Sequence, residues 1–208
     1  MSVISQITTP NTSVILPRMK YNAVKGRFYK IERTQTQDGW ESSDVALTIP
    51  LKLALDFSTM EIGPVAFIAN KPDFHLVSIA AVEAGTVKIP VPPTPDHKTS
   101  VRVRAYSKEL GVREWMVQAK IVLSAIDALY EAAKVAPEYK AGKAPVVSIT
   151  GTTETKFKTP AGGEGSSEQP IMAITGWTDR KVFEEAMKEA EQADKAPPPP
   201  VAEDDTDF

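Results

Sequence analysis

The chain contains no cysteine and only two histidines, His75 and His97, in 208 residues. Without thiols there is no disulfide framework, cysteine-ligated zinc, iron–sulfur cluster or thiolate nucleophile. Long apolar runs are missing too. No window approaches the ~18 residues of a membrane span, and Met1 to Pro10 lacks the charged start and apolar stretch of a secretion signal. A cytoplasmic chain without membrane association is expected. Gly142-Lys143 has no glycine placed to open a P-loop, and neither G-x-G-x-x-G nor G-x-S-x-G occurs. Each histidine has an acidic neighbour, Asp73 for His75 and Asp96 for His97, as a base with its orienting carboxylate would. Two such pairs in a long chain are a thin basis for catalysis, and no D-x-D or E-x-x-H pattern concentrates carboxylates outside the C-terminal end. We read a binding protein, not an enzyme, with no cofactor and no metal.

Charge is distributed unevenly. From Glu184 to the end there are nine acidic and two basic residues, so this end carries −7 and residues 1–183 carry +4 of the total of −3. Blocks of like charge read as disordered interaction tails. Pro197 to Pro200 cannot continue a helix and should run as an extended spacer. The division expected is a domain over residues 1–194 and a Pro-rich linker with an acidic tail over 195–208.

The first half of the body alternates apolar and polar residues as half-buried strands do. Val45, Leu47, Ile49, Leu51, Leu53, Leu55 and Phe57 keep strict alternation, with Pro50 marking a break or an edge. Further strands are predicted at Arg27 to Arg33, Val65 to Ala69, Phe74 to Ala80, Val87 to Val91 and Val101 to Tyr106. Helical spacing is read from Val112 to Val135, with Trp115 on its apolar face, and again from an N-cap at Thr178, burying Val182, Phe183, Ala186, Met187 and Ala190. Pro145 to Thr150 and Ile171 to Trp177 should pair as a hairpin. The fold class expected is mainly β, a β-rich α+β domain. Short strands separated by turn signals suggest a sandwich or small barrel, with the long helix as core, as a lid, or as a dimer interface.

Residues 18–33 hold Arg18, Lys20, Lys25, Arg27, Lys30 and Arg33 against a single acid, Glu32, with Tyr21, Phe28 and Tyr29 among them and Trp40 just beyond. Cations spaced to follow phosphates, beside flat rings on which unpaired bases stack, are what a nucleic-acid single strand requires. Phe28 itself reads as core. The pattern recurs at Val101 to Lys108. Alternation there sends Val101, Val103 and Ala105 to one face and Arg102, Arg104 and Tyr106 to the other, with Lys108 following. Lys156-Phe157-Lys158 is a third instance. An Arg-x-Arg strand face is also the ordinary solvated side of a sheet. The chain ends Glu203-Asp204-Asp205-Thr206-Asp207-Phe208. Such an end can insert its ring into an apolar pocket of a partner with a basic rim, or lie in the chain's own basic groove as a polyanion.

Alternating strands, basic and aromatic faces, and a Pro-rich linker to an acidic end closing on Phe208 resemble the single-stranded DNA-binding proteins of the OB-fold type, particularly those encoded by bacteriophages. Bacterial members end Pro-Phe, whereas this chain ends Asp207-Phe208, as phage replication proteins do. The Val146 to Trp177 segment also resembles phage proteins of this type. The resemblance implies an OB-fold-like barrel of about five or more strands with one long helix and a C-terminal helix. It further implies binding of single-stranded DNA without sequence preference, in the host cytoplasm if phage-encoded. The tail would recruit replication or recombination proteins and compete with DNA. Arg27, Lys30, Arg102 and Arg104 would lie near phosphates, and Tyr29, Trp40 and Tyr106 would stack bases. A virion or assembly protein and a recombination annealing factor are the alternatives, and oligomeric state is left open, a homodimer included.

Overall fold

The computed structural model describes residues 16–36, 39–68, 71–158 and 162–195. Among them are ten strands and four helices: β1 (Arg18–Asn22), β2 (Arg27–Thr36), β3 (Gly39–Ala46), β4 (Leu51–Ile68), β5 (Lys71–Phe74), β6 (Val77–Ser78), α1 (Ile79–Glu83), β7 (Lys98–Ser107), β8 (Gly111–Val117), α2 (Lys120–Val135), α3 (Pro137–Lys140), β9 (Lys143–Lys158), β10 (Glu164–Asp179) and α4 (Lys181–Lys195). The chain is mainly β with helices, as its alternation implies. No described helix is long and apolar enough to cross a membrane.

All ten strands belong to one sheet, ordered β10-β9-β4-β7-β8-β1-β2-β3, with β5 and β6 pairing on β4. Neighbours are antiparallel except β1 and β8, which run parallel. The sheet curls but does not close into the expected barrel, because the free edge of β8 is taken by β1. Strand β10, at one end of the sheet, reaches the β1–β2 turn near the other. The Glu168 N–H of β10 donates to the Ala23 carbonyl in the β1–β2 turn (2.6 Å), and the Tyr21 hydroxyl donates to the Glu168 carbonyl (2.7 Å).

One face of the curl is the core. Leu51, Leu53 and Leu55 of β4, Val101, Val103 and Ala105 of β7, Trp115 and Val117 of β8, Met19 of β1, Phe28 of β2, and Val147 and Ile149 of β9 are buried there. Helix α2 plugs it with Val122, Ile126, Leu129, Tyr130 and Ala133, each large apolar side chain contributing roughly 1.5–3 kcal/mol on burial. Helix α4 lies on the opposite face of the sheet, packing Phe183 and Ala186 on Ala54, Val112, Ala144 and Leu16. The Asp179 carboxylate accepts from the Lys181 N–H (2.9 Å) at its start, one residue beyond the predicted cap.

Three sequence expectations change. Val112 to Val117 is strand β8, and the helix begins at Lys120, so Trp115 is a core residue of a strand. Val87 to Val91 joins no ladder, since Pro90, Pro92 and Pro93 remove successive donors. Phe74 to Ala80 is divided between the end of β5, the two-residue β6 and the start of α1. The β9–β10 hairpin is as expected and longer, extending to Lys158 and Glu164.

Candidate nucleic-acid interface

Ladder register decides which side chains share the outer face. Lys20 pairs with Tyr29, Arg18 with Ile31 and with Glu114, Arg104 with Glu114 and Asp56, and Arg102 with Glu61. Partners across a ladder point the same way and alternation continues the face. Arg18 and Lys20 of β1, Arg27, Tyr29 and Arg33 of β2, and Arg102, Arg104 and Tyr106 of β7 therefore lie on one side of the sheet, opposite the core.

At the centre of this face stands an aromatic residue that sequence reasoning missed. Phe74, at the end of β5, is half-buried with the guanidinium of Arg18 5.9 Å and that of Arg102 6.0 Å from its ring centre. The exposed ring of Phe67 meets it edge-on at 6.5 Å. Cations from β1 and β7 thus converge on a ring carried by a third element. The only sequence signal was Phe74 in a short strand; its cationic neighbours are 56 and 28 residues away in the chain.

Several predicted site residues are placed on this face, with differing freedom. Arg27 and Arg33 are exposed and Arg104 is half-buried, and none has an ion-pair partner among the described residues. Lys20 is paired with Asp44 (2.6 Å). Arg102 donates through Nε to Glu61 Oε2 (2.6 Å) and lies 3.7 Å from Glu114, so its charge is largely answered within the sheet. Each of the two arginines beside Phe74 lines a groove. One of about 900 Å³ is lined by Arg18, Lys20, Arg33 and Arg113 with Glu32 and Asp44. The other, about 220 Å³, is lined by Arg102 and Arg104 with Glu61 and Glu114.

Other predicted residues are elsewhere. Tyr21 belongs to the core side. Its ring packs 4.6 Å from Phe28, and burial pushes its phenol up to about 12. Lys30 is also on that side, paired with Glu32, whose carboxyl the lysine holds below the ordinary range. Tyr106 is on the outer face but covered: its ring meets Phe183 of α4 at 6.0 Å. Lys25 and Lys108 are exposed in turns. Lys156, Phe157 and Lys158 lie exposed at the outer end of β9, the Phe157 ring lying against Gly165, where a side chain would collide with it. Trp40 occupies a position opposite Gln35 in β3, and its side chain lies outside the described residues. So do the tail residues Glu203, Asp204, Asp205, Asp207 and Phe208.

What this surface offers is a ring flanked by guanidinium groups, with further arginines placed along a curved sheet. No protein-family model, curated protein or solved structure matches the chain.

Proposed function

We propose that the chain binds single-stranded DNA without sequence preference, protecting it during replication or recombination. The observation that carries this is Phe74 with the guanidinium groups of Arg18 and Arg102 about its ring, on an outer face where Arg27, Arg33 and Arg104 have no acidic partner among the described residues. Bases stack on a ring at roughly 1–3 kcal/mol each, while arginines follow the phosphates. The phosphate contacts differ from the expected set. Lys30 is replaced by Arg33 and Arg102 by Arg18, because Lys30 lies on the other face and Arg102 is held by Glu61.

The order of connections supports the same reading. Strand β4 pairs with both β7 and β9, β7 and β8 form a hairpin, α2 joins β8 to β9, and β9 and β10 form a second hairpin. A first strand shared by the second and fourth, with a helix between the third and fourth, is OB-fold connectivity. In that fold the second and third strands and the loops after the first and fourth strands bind oligonucleotides. Phe74 falls in the first of those connections, Lys156 to Lys158 end the strand that leads into the second, and Arg102 and Arg104 lie on the second strand. Strands β1, β2 and β3 would then be an addition on the edge of β8.

The acidic tail would compete with DNA for this face and recruit replication or recombination proteins. A chain ending at Ala196 should therefore bind labelled oligo-dT more tightly than the full chain, with the difference largest at low salt, where polyanion competition is strongest. Equal or weaker binding by the shortened chain would remove the competitive role of the tail. No binding by either chain would favour a virion or assembly role.

A further inference from the structure

We propose that Asp73, His75 and His97 form a binding site for a divalent transition metal, with zinc the ion their donor set favours. Both histidines of the chain converge on one carboxylate. His75 Nε2 lies 3.0 Å from Asp73 Oδ1, and His97 Nε2 lies 3.1 Å from Asp73 Oδ2. One donor atom from each of the three residues lies within 4.8 Å of the others. The sequence suggested a different pairing, His97 with its neighbour Asp96; the fold instead joins it to Asp73.

Two imidazoles and a carboxylate suit zinc, which takes nitrogen and oxygen at about 2.0–2.2 Å in tetrahedral array. Donor atoms at the corners of such a tetrahedron are about 3.3 Å apart, so the two nitrogen–oxygen separations need only small adjustments. The surrounding groups are those of an oriented site. His97 Nδ1 lies 2.9 Å from the Thr94 hydroxyl, which fixes the ring with Nε2 turned inward, as outer partners of metal-bound histidines do. The His97 side chain is fully buried. His75 Nε2 is also buried, and although close to Asp73 Oδ1 it is off the angle a hydrogen bond needs and has no hydrogen-bond partner among the described residues. An unsatisfied buried nitrogen costs stability, and a metal would satisfy it.

The backbone holds the ligands independently of any ion. The His75 N–H donates to the Pro64 carbonyl (3.0 Å), and that of His97 to Thr94 (3.1 Å). The His75 carbonyl lies against Gly63, where a Cβ would overlap it, so this approach of β4 requires glycine. Asp73 and His75 are each about two-fifths exposed, which provides an entry path and room for a water as fourth ligand. Bound metal would fasten β5 to the start of β7, immediately beside Phe74. The site does not depend on the chain binding DNA, and its test uses no DNA.

The full chain, stripped with EDTA and returned to chelator-free buffer with excess Mg2+ to occupy the tail carboxylates, is titrated with Zn2+ by calorimetry and with Co2+ by visible absorption. The expected result is one equivalent of zinc per chain, a raised Tm, and the strong visible band of four-coordinate Co2+. His75→Gln and Asp73→Asn, at half-exposed positions, should each weaken zinc binding roughly tenfold or more and abolish the cobalt band while leaving the circular dichroism spectrum unchanged. Wild-type binding that does not saturate at one equivalent would overturn the proposal. So would wild-type affinity in both variants.

Discussion

Phe74→Ala should weaken binding of oligo-dT by roughly ten- to a hundredfold, the equivalent of one lost base stack at about 1–3 kcal/mol. Its ring is the one aromatic among the described outer-face residues that has two guanidinium groups within about 6 Å of its centre. Removing it takes the stacking surface and also frees Arg18 and Arg102 from the positions the ring gives them. Tyr106→Ala should cost less in affinity and more in stability, because Tyr106 packs against Phe183 beneath α4. Arg104→Ala, which removes a charge without a ring, should lower affinity modestly and make the salt slope shallower by about 0.7. Equal oligonucleotide affinity for Phe74→Ala and wild type, with Tm unchanged, would exclude the ring as a stacking platform.

Trp115→Ala should destabilise the domain by about 3–5 kcal/mol, out of a total of about 5–15 kcal/mol for proteins of this kind. Trp115 is fully buried, pairs with Met19 across the β1–β8 ladder, and meets Phe28 edge-on at 5.4 Å and 63°. Its loss opens a cavity where the parallel addition joins the sheet. Denaturant unfolding should show the change as a lower midpoint with an unchanged slope. Trp115→Phe should cost markedly less, because the Nε1–H of Trp115 is buried without a hydrogen-bond partner among the described residues and its removal relieves an unpaired donor. A loss below about 1 kcal/mol for the alanine variant would contradict the central place of Trp115 in the core.

Much of this architecture is legible in the chain because alternation is a local signal. Leu51, Leu53, Leu55 and Phe57 face inward together, and Val101, Val103 and Ala105 are buried opposite Arg102, Arg104 and Tyr106, as period two requires. The break near Pro50 is equally visible: β3 ends at Ala46 and β4 starts at Leu51. The segment at Trp115 was ambiguous because Val112 and Trp115 are three apart, as on a helix face, while Trp115 and Val117 are two apart, as on a strand face; in the strand Val112 is buried on the α4 side and Trp115 and Val117 on the other. Pairing with β7 and β1, which no local pattern reveals, settles it as strand.

The candidate site was less legible, for physical reasons. Lys30 and Glu32 satisfy each other on one strand face, so a charge count that treats them as free overestimates the basic surface. Tyr106 reads as an exposed ring until α4 is folded over it. Phe74 acquires its arginines, and His97 its carboxylate, through contacts between β1, β5 and β7, which are distant in the chain. Alternation gives the side of a sheet; it does not say what another element places there.

The central claim is single-strand binding by the outer face, and fluorescence anisotropy of labelled oligo-dT titrated with the full chain, at two salt concentrations and against duplex competitor, tests it most directly. Four arginines, Arg18, Arg27, Arg33 and Arg104, are available to phosphates on that face, so log affinity should fall with log salt at a slope near −3, from about −0.7 per contact, and duplex should compete poorly. Absence of binding, or competition by duplex equal to that by single strands, would contradict it.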